Sequence, residues 1–459
     1  MIVHELSEFI GKVDFKNLSI EETNQLKKRL LDSLGTAIGA IEGRPVRALR
    51  SHLDELGGNP ISTLIGGSKS SPDRAALYNS ALVRYLDYND SYLAKGETCH
   101  PSDNIGAILA AGEHANISGE EFLTALAIAY QVQCRLSDEA PVRDKGFDHT
   151  TQGSYSVAAG VSKALGLSND QTANALAIAG TSLNALRVSR TGALSNWKGF
   201  AFPHTAFGAT HACYLARQGI TGPESVFEGN KGFMDSIAGQ FKIDWKKEGT
   251  DKVLGTIIKK YNAEIHSQST LEGVLQLKDE KDIQPGEIDE INIEIFDVAY
   301  HIIGGGEEGD KTIVRNKEEA DHSLNYLVSA ALLDDQVMPE QYEQARIERE
   351  DIQNLLKKVH VTENQEYSDR FPDEMPVKIT IRMNNGRVFE KEKSDYEGFH
   401  TRPAGWDTLV DKFHDLAEPR TSPELREKII EMIQQFEEHT VTELFELLEK
   451  VELKTDQKQ

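Results

Sequence analysis

A large, mainly α-helical domain joined to a smaller α+β domain is the architecture this sequence predicts, on three observations. The first 265 or so residues carry three capping boxes, Ser19-Ile-Glu-Glu22, Ser118-Gly-Glu-Glu121 and Ser168-Asn-Asp-Gln171, each heading an apolar run. Between about 265 and 400 the helical period gives way to alternation, in INIEIF and in VKITIRM followed by Asn384-Asn385-Gly386, the strongest hairpin signal in the chain. After about 400 the helical pattern returns. At 459 residues the chain also exceeds what one growing core supports. The expected division places residues 1–265 and 400–459 in the helical domain, and 266–399 in an α+β domain covering the active-site cleft.

Taken in order, Ser19 opens a helix whose Leu26, Leu30, Leu31 and Leu34 share one face, with Gly35 and Gly39 allowing close packing. GNPISTLIGGSKS at 58–70 is extended or looped, and Ser71-Pro72 starts helix again. FLTALAIAYQVQCRL and TANALAIAGTSLNAL follow the second and third boxes, and helices this rich in alanine approach one another closely. QLKDEKDIQPGEIDE is a charge run with a Pro-Gly turn that leads into the first strand. HSLNYLVSAALLDD and the charged segment Pro339 to Lys358 supply helices between the strands. Ser422-Pro423 opens a long amphipathic stretch to Glu452, expected to pack back on the helical domain, and the final TDQKQ is expected to fray.

Composition narrows the function classes. Lys plus Arg number 50 against 74 Asp plus Glu, a formal net charge of -24, which repels nucleic acid and anionic membrane surfaces. Cys99, Cys134 and Cys213 have neither metal-type spacing nor a disulfide ladder, which points to a reducing compartment. MIVHELSEFIG lacks the basic and apolar regions of a signal peptide, and no apolar run reaches membrane-spanning length, so the chain reads as cytoplasmic. GGGEEG at 304–309 lacks the P-loop lysine and hydroxyl and does not form the dinucleotide fingerprint after a strand.

Three polar constellations carry the chemistry. The first, YNDSYLAKGETCHPSD, separates two apolar helices and contains Asp87, Asp90, Ser91, Lys95, Glu97, Thr98, His100 and Asp103. Pro101 restrains the backbone of His100 and so aims its imidazole. In the second, Arg143, Asp144, Lys145, Asp148 and His149 precede a Ser/Ala-rich helix whose free N–H groups can hold a carboxylate. In the third, Arg187, Arg190 and Lys198 bring three cations into twelve residues beside Trp197, Phe200 and Phe202, which suits a cleft wall aimed at carboxylates. His204 and His211 are weaker candidates, since they share a helix face only if the helix already runs through Pro203. Histidines, acids and cations without a nucleotide motif fit proton transfer on a polycarboxylate. The bland reading is a helical scaffold whose polar clusters satisfy local structure.

DYNDSYLAKGETCHPSDNIGAILA, GFDHTTQGSYSVAAGVSKALGL, RVSRTGALSNWKGFAFPHTAFGATHACYLARQGITGP and HSLNYLVSAALLDD, in this order, resemble the MmgE/PrpD family over nearly the full chain. The resemblance implies a two-domain homodimer that uses no dissociable redox cofactor. It also implies a tricarboxylate hydro-lyase, with 2-methylcitrate dehydration as the nearest activity, citrate and cis-aconitate as a second pair, and cis-aconitate decarboxylation or iminodisuccinate epimerisation as related chemistries. It places Asp87, Ser91, His100, His149, Lys198 and Tyr326 in the interdomain cleft, with Ser91 where a relative has threonine. The next family position falls among Glu264, His266 and Gln268, with His266 and Gln268 as substrate contacts. On this reading Lys198, helped by Arg143 or Arg190, stabilises charge building on a substrate carboxylate. One of His100 and His149 is the base and the other binds carboxylate or protonates the leaving hydroxyl, with nearby Asp148 favouring His149 as base. Asp87 orients a histidine, and Ser91 and Tyr326 hydrogen-bond the substrate.

Overall fold

The capping boxes start helices where the sequence places them. In the computed structural model, which describes residues 1–453, Ser19 Oγ accepts the amide of Glu22 at 3.1 Å and Glu22 Oε2 accepts that of Ser19 at 2.6 Å. The same reciprocal pairs head the helices opened by Ser118 and Ser168, and each cap contributes about 1 kcal/mol. The TDQKQ end lies outside the described residues. Among those described, no helix is long and apolar enough to cross a membrane.

The chain divides into two compact units, one of Met1–Ser189, Gly199–Thr256 and the chain from Gly405 onward, the other of Arg190–Lys198 and Ile257–Ala404. The sequence reading put Arg190 and Lys198 with the large helical domain, whereas their segment clusters with the second unit through the contacts it makes there.

The first unit is built from α1 (Ile2–Lys12), α2 (Ile20–Gly39), α3 (Arg44–Leu56), α4 (Pro72–Tyr85), α5 (Ile105–Ala115), α6 (Gly119–Glu139), α7 (Thr150–Ala164), α8 (Asn169–Ser182) and α9 (Ala201–Arg217). Small strands β1 (Ser62–Thr63) and β2 (Lys69–Ser70) pair in the expected extended stretch. α4 packs on α5 and α9, and α7 on α6 and α9. Small residues set these distances: a Cβ at Gly106 of α5 would lie 2.3 Å from the Ser80 amide, and one at Gly160 of α7 would lie 2.7 Å from Ile108. The C-terminal helix Trp406–Ala417 seats Phe413 and Leu416 over Gly35 and Gly39 of α2. α9 runs through Pro203, contrary to the sequence expectation, because proline in the first helical turn lacks only an N–H that the turn does not use. His204, Phe207 and His211 consequently stack along one face.

Between α4 and α5 the polar insert folds into a hairpin, β3 (Tyr92–Ala94) with β4 (Glu97–Cys99), and then a 3-10 turn, Pro101–Asn104. The second unit carries a four-stranded sheet in the order β6-β5-β7-β8, from β5 (Ile288–Ile295), β6 (Val359–Glu363), β7 (Val377–Met383) and β8 (Val388–Lys393). β5 and β6 are parallel and the other pairs antiparallel. Val377, Ile379, Ile381 and Met383 are buried in strict alternation, and Gly386 takes φ +81° at the expected turn. α10 (Gln268–Lys281) packs on β7 and β8, and α11 (Leu324–Asp334) on β6 and α10.

Candidate active site

Two histidines meet in the first unit. His100 and His149 are buried with ring centroids 5.4 Å apart, edge to face at 72°. His100 Nδ1 lies 2.8 Å from the carbonyl oxygen of Asp90, which can only accept, so Nδ1 carries the proton. Ser91 Oγ stands 3.1 Å from the same nitrogen. In the neutral ring the lone pair therefore sits on Nε2. His149 precedes α7 and sets Nδ1 3.1 Å from Asp148 Oδ1. That oxygen also accepts the Thr150 amide at 3.1 Å, and Oδ2 accepts the Ser189 hydroxyl at 3.1 Å. The helix start read as ready for an outside carboxylate thus already holds the protein's own.

A buried polar lattice fixes the loop carrying His100. Asp90 is fully buried; Oδ1 accepts the Ser102 amide and hydroxyl at 3.0 and 2.6 Å, and Oδ2 accepts Tyr130 Oη at 2.7 Å. Burial raises its carboxyl above the usual range, against the opposing pull of Arg29, Ser102 and Tyr130. Glu97, in β4, accepts the Val142 and Arg143 amides at 3.0 Å each and so ties the hairpin to the segment before His149. Asp87 takes the left-handed region at φ +56° and accepts Arg84 Nη1 at 2.6 Å. Asp87 is thus paired with an arginine, and the Asp90 carbonyl and Asp148 carboxylate orient the rings. A non-glycine residue held at positive φ is strained, and such positions concentrate at functional sites.

The second unit supplies a cationic cluster. Lys198 Nζ lies 2.7 Å from Asp321 Oδ1 and 2.8 Å from His322 Nδ1, while Lys317 Nζ reaches Asp321 Oδ2 at 2.7 Å. His322 Nδ1 is itself 2.7 Å from Asp321 Oδ1. Burial works against the Asp321 charge, yet Lys198, Lys317 and His322 hold its carboxyl well below the usual carboxylate range. His266 Nδ1 faces Glu264 Oε1 at 2.7 Å, and Glu264 Oε2 accepts the His266 amide at 2.8 Å. Burial raises the Glu264 carboxyl, and the His266 charge and hydrogen bond, with His322 and Lys259, outweigh that and bring it down to about 2.

Other expected site residues have different surroundings. Tyr326 is wholly buried and donates its hydroxyl to the Gln341 carbonyl. Gln268 Oε1 accepts the Lys260 and Tyr261 amides and its Nε2 donates to the Tyr261 carbonyl, so its amide braces the turn before α10. Arg143 is half-buried, and its amide meets Glu97. Arg190 is buried on the segment that carries Lys198. Arg187 is half-buried, and its amide donates to Gly146. His211 pairs with Asp73 at 3.1 Å and is exposed.

The family profile described as MmgE/PrpD N-terminal domain matches residues 4–246, and the MmgE/PrpD C-terminal domain matches 261–438. The chain belongs to the MmgE/PrpD family. It is 27% identical over 416 residues to a 2-methylcitrate dehydratase of Escherichia coli K12, covering 84% of this chain and 83% of that protein. It is 26% identical over 454 residues to a probable 2-methylcitrate dehydratase of Saccharomyces cerevisiae, covering 90% and 84%. It is 26% identical over 458 residues to the 2-methylcitrate dehydratase of Cupriavidus necator, covering 94% and 92%.

In this MmgE/PrpD chain, sequence reasoning missed Asp321 and His322, and a signal for them existed. Asp148-His149-Thr150 and Asp321-His322-Ser323 are the same tripeptide pattern, Asp-His followed by a hydroxyl residue, and each stands at a helix start. In both, the aspartate takes the Nδ1 of the histidine beside it. Asp90, whose carbonyl orients His100, carried no such signal.

Proposed function

We propose that this chain is a hydro-lyase that removes water from 2-methylcitrate to give 2-methyl-cis-aconitate. The observation that carries the reading is the His100–His149 pair, two buried rings 5.4 Å apart, one oriented by a carbonyl and the other by a carboxylate. The relatives named 2-methylcitrate dehydratase support the substrate class.

Dehydration removes a proton from the carbon beside a carboxylate and expels a hydroxyl from the next carbon, so it requires a base and an acid. His100 is assigned as base, because the Asp90 carbonyl takes Nδ1–H and leaves the Nε2 lone pair to accept the proton. His149 is assigned as acid, because Asp148 supplies the countercharge for an imidazolium that protonates the departing hydroxyl. These roles reverse the sequence expectation. A neighbouring carboxylate does more than orient a ring, since it also stabilises the protonated form, whereas a carbonyl orients without adding a charge.

Lys198 is assigned to a substrate carboxylate. Two ammonium groups, Lys198 and Lys317, share the Asp321 carboxylate, which leaves one net positive charge before His322 is counted. That charge suits the enolate-like oxygens that form as the carbon proton leaves. A test is incubation of the purified protein with 2-methylcitrate, without nicotinamide or nucleotide, following ultraviolet absorbance of the conjugated product. Carbon dioxide with itaconate from cis-aconitate, and no dehydration, would overturn the reading in favour of a decarboxylase. Stereochemical inversion without water loss would favour an epimerase, and neither turnover nor calorimetric binding would favour a scaffold.

A further inference from the structure

A cavity of about 280 Å³ lies within the second unit, lined by residues 192–194 and 308–311 together with Ile313, Arg315 and Glu319. The glycine-rich segment 304–309, which fits no nucleotide motif, runs into its wall. Lys311 lines this cavity with only 8% of its surface exposed, and its Nζ makes no hydrogen bond or ion pair among the described residues. A buried ammonium without a partner is costly, because desolvation disfavours its charged form. Burial accordingly lowers the Lys311 ammonium below the usual lysine range, against the pull of Glu308, Glu264, Asp321 and Glu319.

Those four carboxylates all have partners of their own. Glu319 takes Arg315 through two nitrogens at 2.7 and 3.2 Å, Glu264 takes His266 and Asp321 takes Lys198 and Lys317. Asp310, also in the wall, accepts the Thr312 amide and hydroxyl at 2.8 and 2.7 Å. Glu308 is buried in the wall and has a partner as well. The Lys311 backbone is fixed in turn, since its carbonyl accepts the hydroxyl of Ser323, the cap of α11, at 2.5 Å. The backbone of Lys311 is therefore held in place, and among the described residues its ammonium has no directly bonded anion.

We propose that this cavity binds a short-chain monocarboxylate, with its carboxylate on Lys311 Nζ and its alkyl tail against Leu194 and Ile313. One negative charge satisfies Lys311, whereas a second would meet the carboxylates of Glu308 and Glu319. A volume of about 280 Å³ accommodates a chain of a few carbons. The inference does not rest on the dehydration reading.

Butyrate and acetate are the probes, with binding followed by saturation-transfer NMR on the full chain. Butyrate is expected to bind saturably and more tightly than acetate, to lose at least tenfold in affinity in K311M, and to retain affinity in K311R. In parallel, cyanate should carbamylate Lys311, as read by peptide mass mapping, and butyrate should protect it. Equal butyrate binding by wild type and K311M, or labelling of Lys311 that butyrate leaves unchanged, overturns the proposal. So does loss of the signal in K198M with retention in K311M, which would assign the anion to the other lysine. Should K311M fail to fold, protection of the wild-type lysine decides the matter.

Discussion

Asp148 presents Oδ1 to His149 Nδ1 at 3.1 Å, and the same carboxylate is fixed by the Thr150 amide and the Ser189 hydroxyl. Asparagine at this position keeps an oxygen for Nδ1–H and removes the charge. If His149 is the acid, D148N should lower kcat about a hundredfold, within the usual range for general acid catalysis. The alkaline limb of the pH–rate profile should move to lower pH, because the imidazolium loses its countercharge. A fall in kcat with both limbs unmoved would mean that Asp148 only holds the fold.

Isotope exchange separates the two histidines. In deuterated water, H149N should still exchange the substrate's carbon proton while forming little product, provided proton removal precedes hydroxyl loss. H100N should do neither, since the Nε2 that takes the proton is gone. Exchange in H100N but not in H149N would restore His149 as base, and near-normal dehydration in both would sink the two-histidine mechanism.

Lys198 and Asp321 should separate activity from stability. K198M removes one of two ammonium groups from Asp321 and leaves Lys317 bound at 2.7 Å, so the fold should persist. Loss of an interaction that strengthens in the transition state by about 3 kcal/mol lowers kcat/KM roughly a hundredfold. D321N leaves two ammoniums facing a neutral amide in a buried setting, and breaking such a pair costs about 3–5 kcal/mol. Thermal melting should therefore rank D321N well below K198M, and the opposite order would refute the shared-carboxylate account.

Local signals made most of the fold legible in the sequence. Capping boxes, the alternation in β7 and the Asn-Gly turn each depend on residues a few positions apart, and the structure has all of them. The helix through Pro203 was missed because proline is excluded from helix interiors but tolerated in the first turn, and the sequence pattern did not fix where the turn began. The candidate site was legible where chemistry and local restraint coincide, as at His100 before Pro101 and His149 after Asp148, whose rings the fold brings together. It was not legible where a role falls to the backbone, as at the Asp90 carbonyl, or to a long-range partner: Lys198 and Asp321 lie 123 residues apart. Tyr326 and Gln268 carry polar groups of the right kind, and only tertiary structure reveals that Gln341 and the 260–263 turn occupy them.

Glu264 should contribute a share of stability that is lost in acid. Its carboxyl sits at about 2 in the folded chain against an ordinary 4.5, because the contact with His266 outweighs burial. A group whose folded value is depressed binds its proton more readily when unfolded, so its stabilisation is complete above pH 4.5 and is lost as pH falls towards 2. The difference corresponds to about 3 kcal/mol. Urea unfolding of wild type and E264Q should therefore show a gap of roughly that size at pH 6, narrowing below pH 4.5 and closing near pH 2. Glutamine preserves the side-chain shape and an acceptor for the His266 amide, so packing alone would give an offset that does not change with pH. A constant offset across this range would place the origin of the difference in packing and remove the charge from the account of this dyad.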